Sequence, residues 1–284
     1  MAPHAEATGE RTVVRSMRLL MMAAAVLVAL AGIQLFVFSE QTDRFFAWTI
    51  DPPITAGFLG AAYWASVAME VSAARQRAWA DARIAVPTVF TFTVLTLIVT
   101  IVHLDRFHLG EEFGLATRAV TWAWIAVYTV VPILMIVIAW VQMRAPGSDP
   151  PRSRPIGRPV RLLSGVQAAA FTGVGVTLLI APASGAGLWP WELTPLTGRA
   201  IGAWLVSFGL AGFHVLIEND LRRVRPAGIA YLALGILQIV VLARFSSDFD
   251  WSSPQAVGYL VFLATILAAG GAALRSGASP PQTH

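Results

Sequence analysis

The sequence predicts an all-α polytopic membrane protein: eight transmembrane helices arranged as two parallel four-helix repeats. Three observations predict it. Hydrophobic residues make up 56% of the chain and charged residues 13%, about half the roughly 25% charged share of a soluble domain. The apolar residues are gathered into eight runs of about twenty, the length that crosses a hydrocarbon core roughly 30 Å thick. One loop occurs twice. Trp48-Thr-Ile-Asp-Pro-Pro-Ile-Thr55, leading into Leu59-Gly60-Ala61, returns one residue shorter as Trp191-Glu-Leu-Thr-Pro-Leu-Thr197, leading into Ile201-Gly202-Ala203. Each copy lies between two long apolar runs, as in a duplicated unit.

Residues 1–16 are polar and read as a cytoplasmic N-terminal tail. Span one covers 17–38. It is longer than the core of a signal peptide and reads as a retained helix. The outer loop 39–53 follows, then span two (54–73), a basic loop (75–83), span three (84–104), a loop (105–118) and span four (119–142). Residues 17–142 form the first repeat. The next segment, 143–161, holds five Arg and five Pro and reads as a non-helical cytoplasmic linker. The second repeat, 162–274, places spans at 162–182, 199–217, 228–244 and 256–274, and residues 275–284 form a cytoplasmic tail.

Orientation follows from Arg, which supplies all 20 basic residues. Fifteen of them fall in the N-terminus, the 75–83, 143–161 and 222–225 loops and Arg275. The positive-inside rule puts these in the cytoplasm and both Trp-Pro-Thr loops outside the cell membrane. Four spans per half is an even number, so the repeats are parallel, related by an axis along the membrane normal. Small residues at every fourth position, Gly57/Ala61/Ala65 and Gly165/Ala169/Gly173, predict tight helix seams. Pro87 and Pro132 fall inside spans three and four as candidate kinks.

Ionisable groups inside spans are the first place to look for chemistry, since each costs about 2.5–3.5 kcal/mol at a helix centre. Glu70 and His214 lie near the inner ends of spans two and six, and His103 ends span three outside. Glu70 reads as a proton or cation site, or as a carboxylate paired with Arg75 or Arg77. His214 reads as a relay, or as an interfacial partner of Glu218 one turn on. Thr93, Thr96, Thr100 and His103 share a helix arc of roughly 80°. That stripe reads as the wall of a polar path, or as hydroxyls bonded back to their own helix. In the outer loops Trp48, Asp51, Trp191 and Glu192 read as an aromatic belt at the headgroups, or as lids over an outward cavity.

Several classes drop out. Cys is absent, which removes disulfides and thiolate metal sites. His103 and His108 do not share a helix face, and His214 sits at the opposite membrane surface, so no metal or haem pair forms and no cofactor is expected. Phosphate loops and Ser-His-Asp patterns are absent. The net charge of +4 sits in loops on one side, the pattern of topology and not of a nucleic-acid partner.

The stretch Phe45-Phe-Ala-Trp-Thr-Ile-Asp-Pro-Pro-Ile-Thr-Ala-Gly-Phe-Leu-Gly-Ala-Ala-Tyr-Trp64 resembles a segment of an uncharacterised group of multi-pass membrane proteins from high-GC actinobacteria. The likeness covers about twenty residues, and beyond them only the hydropathy pattern. It implies a cytoplasmic-membrane location and carries over no catalytic or binding residue.

The functional expectation is a non-catalytic membrane component: a sensor, an assembly factor or a subunit of a larger complex. Scarce intramembrane charge and short loops point there. Its partners are the lipid bilayer and another membrane protein or a second copy of itself. The alternatives are a small-solute or proton-coupled transporter with a site between the repeats, and an integral-membrane enzyme acting on lipid.

Overall fold

Prolines set most of the helix starts. They occupy the first turns of the helices beginning at Pro53, Arg158, Pro195, Arg225 and Pro254, where the missing N–H would have no intrahelical partner. Thr194 adds a side-chain cap, its oxygen accepting from the Thr197 N–H at 3.2 Å.

The computed structural model describes residues 9–275; residues 1–8 and 276–284 of the expected tails lie outside them. Among the described residues eight helices are long and apolar enough to cross a membrane, and the chain is an integral membrane protein. They are α1 (Arg15–Gly32, continued by a π turn at Ile33–Val37), α2 (Pro53–Ala74), α3 (Ala85–Val102), α4 (Leu115–Met143), α5 (Arg158–Ile180), α6 (Pro195–Glu218), α7 (Arg225–Arg244) and α8 (Pro254–Arg275). Several begin one turn before the apolar runs that announce them. The first turn of α5, Arg158–Arg161, belongs to the segment read as linker. Its Arg and Pro residues obscure the helix in a hydropathy reading but are tolerated in a first turn.

The bundle has a centre and a periphery. In α2, 78% of the spanning window is buried, in α6 56% and in α7 50%, against 28% in α1 and α4. The central helix α2 is also the least apolar of the eight. Lipid selects for apolar side chains, whereas a buried membrane helix is chosen for close packing by Ala and Gly. α1 lies along α2, and α5 along α6. α3 pairs with α4, and α7 with α8. Across the two halves α2 packs on α7, and α6 on α3.

Two glycines set the closest of these approaches to a neighbouring backbone. A Cβ on Gly60 would stand 2.5 Å from the backbone nitrogen of Phe36, and one on Gly202 would stand 2.7 Å from the Gly175 carbonyl oxygen. Gly60 and Gly202 are the matching positions of the duplicated loop, and each lets its helix touch the backbone of the helix before it.

Two sequence expectations need correction here. The Gly165/Ala169/Gly173 stripe is not a seam: Ala169 and Gly173 are exposed. The contact face of α5 carries Ala168 and Gly175, beside Gly212 and Gly202 of α6. Both sets of small residues have helical spacing, so spacing alone does not choose the face. Pro87 lies in the first turn of α3, which begins at Ala85, and breaks no interior hydrogen bond. Pro132 does lie inside the continuous α4.

Candidate functional site

The two Trp-Pro-Thr loops lie at one end of the bundle and the Arg-rich loops at the other. Trp48 is 3% exposed and Trp191 6%, which overturns the aromatic-belt reading, since both rings are core. Trp48 meets Phe46, Phe107 and Trp124 with centroids 4.6–5.1 Å away. Trp191 meets Trp189 at 5.2 Å and Tyr259 at 5.4 Å. Each such pair is worth about 0.5–1.5 kcal/mol beyond area burial. The Trp191 indole N–H donates to Thr55 Oγ1 at 2.8 Å, tying the second loop to the start of α2. Asp51 and Glu192 are both exposed and stand apart from these clusters.

His108 completes the first loop. Its Nδ1 lies 3.0 Å from the Phe46 carbonyl and its Nε2 3.0 Å from Thr49 Oγ1. A carbonyl can only accept, so Nδ1 carries the proton and Nε2 accepts from the threonine hydroxyl. Burial pushes the His108 pKa down, with the Phe46 carbonyl and the carboxylates of Asp43 and Glu112 pulling the other way. His103 bridges the halves nearby, its Nε2 accepting from Arg199 at 2.8 Å. Burial and the Arg199 charge both lower its pKa. Arg199 also donates to the Leu179 carbonyl at 3.0 Å. From the other half, Arg244 donates to the Phe36 carbonyl and to Ser39 Oγ.

Inside the membrane the seam between the halves is filled by aromatic rings. Phe92 of α3 stacks on Trp204 of α6, with centroids 3.8 Å apart and planes at 27°. Tyr63 stands edge-on to Trp204 at 5.1 Å and shares a 2.6 Å hydrogen bond with Tyr128. The cavities beside these rings measure about 20 and about 10 Å³, room for roughly one water at most.

The threonine stripe faces this packing. Thr93 bonds back to the Phe90 carbonyl and Thr100 to that of Thr96. Thr100 also accepts from the Trp124 indole at 3.0 Å, and Thr96 lines the smaller cavity. The counterpart tie in the second half is Gln238, fully buried. It donates to the Phe58 carbonyl at 3.1 Å and accepts from the Tyr259 hydroxyl at 2.9 Å.

Glu70 is 1% exposed, and its Oε1 accepts from Ser66 at 3.2 Å. Oε2 has no partner among the described residues. The expected pairing with Arg75 or Arg77 does not occur. Glu70 instead borders an apolar cavity of about 20 Å³ lined by α1, α3 and α4, inside the first half and away from the seam. Glu70 and His214 are not joined by any hydrogen bond or ion pair among the described residues; His214 Nε2 lies 3.8 Å from Glu218 Oε1.

The Arg-rich end holds what sequence reasoning missed. Glu218, 1% exposed, takes Arg83 Nε at 2.5 Å and Arg223 Nη1 at 2.9 Å. Arg83 also pairs with Asp149, and Arg152 donates to the Glu218 carbonyl at 2.7 Å. Asp220 accepts backbone N–H bonds from Ser153, Arg154 and Arg222. Burial pushes its carboxyl up, but those backbone donors outweigh it and hold the group below its ordinary value. Arg222 reaches across to Asp81 at 2.6 Å. Three segments, the 79–83 turn, the 149–154 linker and the 218–223 loop, are thereby knotted together. The sequence signal was the coincidence of acids with Arg in loops of both halves, which a count for topology passes over. Residues 9–14 add an extended strip bonded to Arg77, Trp79 and Ser148, and the Gln142 amide accepts from the Val14 N–H and donates to the Thr12 carbonyl.

Gln167 is a second buried group that sequence reasoning missed, 4% exposed with neither amide atom partnered among the described residues. Among the described residues no three His, Asp and Glu side chains converge as a metal set. No family model, curated protein or solved structure matches the chain.

Proposed function

We propose that the chain is a non-catalytic component of a cytoplasmic membrane, built as two parallel repeats fastened along their seam with the Arg-rich end inside the cell. The observation that carries the reading is the seam itself. It is filled by the Phe92–Trp204 stack, bridged at the Trp-loop end by His103–Arg199 and Trp191–Thr55, and bridged at the Arg-rich end by Arg83–Glu218. Alternating access asks one half to rock against the other, and this arrangement opposes it at three levels. The reciprocal packing of α2 on α7 and α6 on α3, with the matched roles of Gly60 and Gly202, supports the repeat. A fastened block suits a sensor, an assembly factor or a complex subunit, whose working surfaces are its outer faces and loops.

Two measurements test the reading. Gentle extraction from its own membrane should recover the chain with a stoichiometric protein partner or as an oligomer of itself. Purified chain in vesicles loaded with a pH-sensitive dye should dissipate an imposed proton gradient no faster than empty vesicles.

One observation favours the alternative of proton coupling: a buried carboxylate, Glu70, with one oxygen unpartnered. A gradient that collapses with wild-type protein and holds with Glu70→Gln would overturn the first reading in favour of this one.

A further inference from the structure

The carboxylates of the Arg-rich end are unevenly placed. Asp81, Asp149, Glu218 and Asp220 all serve the clasp, and the charge of Glu10 acts on Arg222. At the edge where α1 begins the arginines stand without them. Arg15, Arg75, Arg77 and Arg144 are exposed, and none has a side-chain hydrogen bond or ion pair among the described residues. The first turn of α1 holds no acidic residue either.

Contacts at the start of α1 set these arginines in a row. On one side the Arg18 guanidinium donates to the Ala74 carbonyl and, at 3.0 Å, to that of Gln76, so it straddles Arg75 at the end of α2. The Val13 N–H donates to the Arg77 carbonyl at 2.9 Å. On the other side Gln142 accepts the Val14 N–H at 2.8 Å. That bond seats Arg15 beside the end of α4, which Arg144 closes. The Arg144 guanidinium lies over the Trp140 ring, 3.5 Å from its centroid. Trp140 is itself 50% exposed, on a helix face with Val137 at 53%. The row therefore follows the line where an apolar face gives way to charge, the depth of headgroups and of the tryptophans that sit among them. A guanidinium matches a phosphate with paired N–H donors, and an aromatic face holds it flat without using those donors.

We propose that this row binds an anionic phospholipid of the leaflet at the Arg-rich end. Arg144 and Arg15 take the phosphate, and the acyl chains run along the exposed face of α4 past Trp140. Arg75 and Arg77 extend the positive field on the α2 side. Like charges along one edge repel one another, and a bound anion relieves that repulsion. The apolar flank of α4 selects a lipid over a soluble phosphate. A zwitterionic lipid carries its own ammonium beside the phosphate and gains less. Each arginine at an anionic surface adds about fivefold in affinity. The site needs only a headgroup layer at that end, whichever side of the membrane it faces.

The test is native mass spectrometry of the full-length protein, titrated in detergent with phosphatidylglycerol or with phosphatidylcholine of the same acyl chains. Wild type should bind its first phosphatidylglycerol about tenfold more tightly than phosphatidylcholine, or better. Arg15→Gln/Arg144→Gln should bring the two lipids within about twofold, with phosphatidylcholine binding and the unfolding midpoint unchanged. The single substitutions give the same readout, each a several-fold loss, should the pair fail to fold. Arg158→Gln/Arg161→Gln removes two exposed arginines from the second half and should leave the preference within about twofold of wild type. Glycerophosphoglycerol, the same headgroup without its chains, should not compete at the lipid's own concentration. No preference in wild type, a preference that survives loss of Arg15 and Arg144, an equal loss from the Arg158/Arg161 pair, or competition by the bare headgroup would each overturn the proposal. Arg144→Lys keeps the charge without the planar fork and should lose several-fold in phosphatidylglycerol affinity; affinity equal to wild type would overturn the role of the Trp140 stack.

Discussion

In the first half the Trp-loop end is closely packed. Phe46, Trp48 and Trp124 cluster there, and the π turn after α1 buries Leu35 and Phe36. A free volume of about 20 Å³ lies at the other end, against Glu70. The second half inverts this. The crevice between α5 and α8 is open at the Trp-loop end by about 210 Å³, and α8 presents Gly258 there. Yet Gly60 and Gly202 each let a helix touch the backbone of the helix before it, and both Trp-Pro-Thr loops bury their tryptophan. What is shared lies where backbones touch, and what differs lies where the bundle faces lipid. Backbone contact tolerates no change of side chain, whereas a lateral crevice can change at little cost to the rest.

The sharpest test of the shared framework is at the Arg-rich clasp. Glu218→Ala leaves Arg223, whose side chain is 6% exposed, without its partner in a buried setting. Removing one member of a buried ion pair costs about 3–5 kcal/mol, and a denaturation series in detergent should show a loss of that order. A loss below about 1 kcal/mol would mean that the clasp does not hold the halves.

Next in size are the glycines. Gly60→Val and Gly202→Val each drive a side chain into backbone and should cost roughly 1–3 kcal/mol or more. Gly173→Val, on the open face of α5, should stay within about 0.5 kcal/mol of wild type. Unequal effects at Gly60 and Gly202 would break the equivalence of the halves. The two loop tryptophans separate on a smaller scale. Trp191→Phe loses the bond to Thr55 and should cost about 0.5–1.5 kcal/mol more than Trp48→Phe, because the Trp48 N–H has no partner among the described residues to lose. Thermal midpoints of the two variants decide it.

The smallest effect is the pH dependence that the first loop contributes. Burial lowers the folded pKa of His108 below its ordinary 6.5. As pH falls through about 6.5 the unfolded chain takes up the proton first. Stability is therefore full above that value, declines below it, and levels once pH passes the folded pKa. His108→Gln should reduce the decline between pH 7 and 5; an identical slope would remove His108 as its source.

Much of the architecture was legible because it rests on composition. The apolar runs located all eight helices, and the repeated loop located the two glycines that let backbones meet. Sites were less legible, for a physical reason. Trp48 and Trp191 have the composition of a membrane belt, and only tertiary contact shows that Phe107 and Phe249 cover them. Glu70 lies only five residues from Arg75, yet its side chain turns to Ser66 and an apolar crevice. The Arg83–Glu218 clasp joins positions far apart in sequence, where no periodicity operates.

The most direct test of a fastened seam is a distance between the halves. The chain has no cysteine, so nitroxides can be placed singly at Asp51→Cys and Glu192→Cys, exposed sites in the two Trp-Pro-Thr loops. Double electron–electron resonance in lipid nanodiscs should give one narrow distribution, unchanged between pH 5 and 8. A second, separate population, or a distribution that shifts with pH, would contradict the account and show that the halves move.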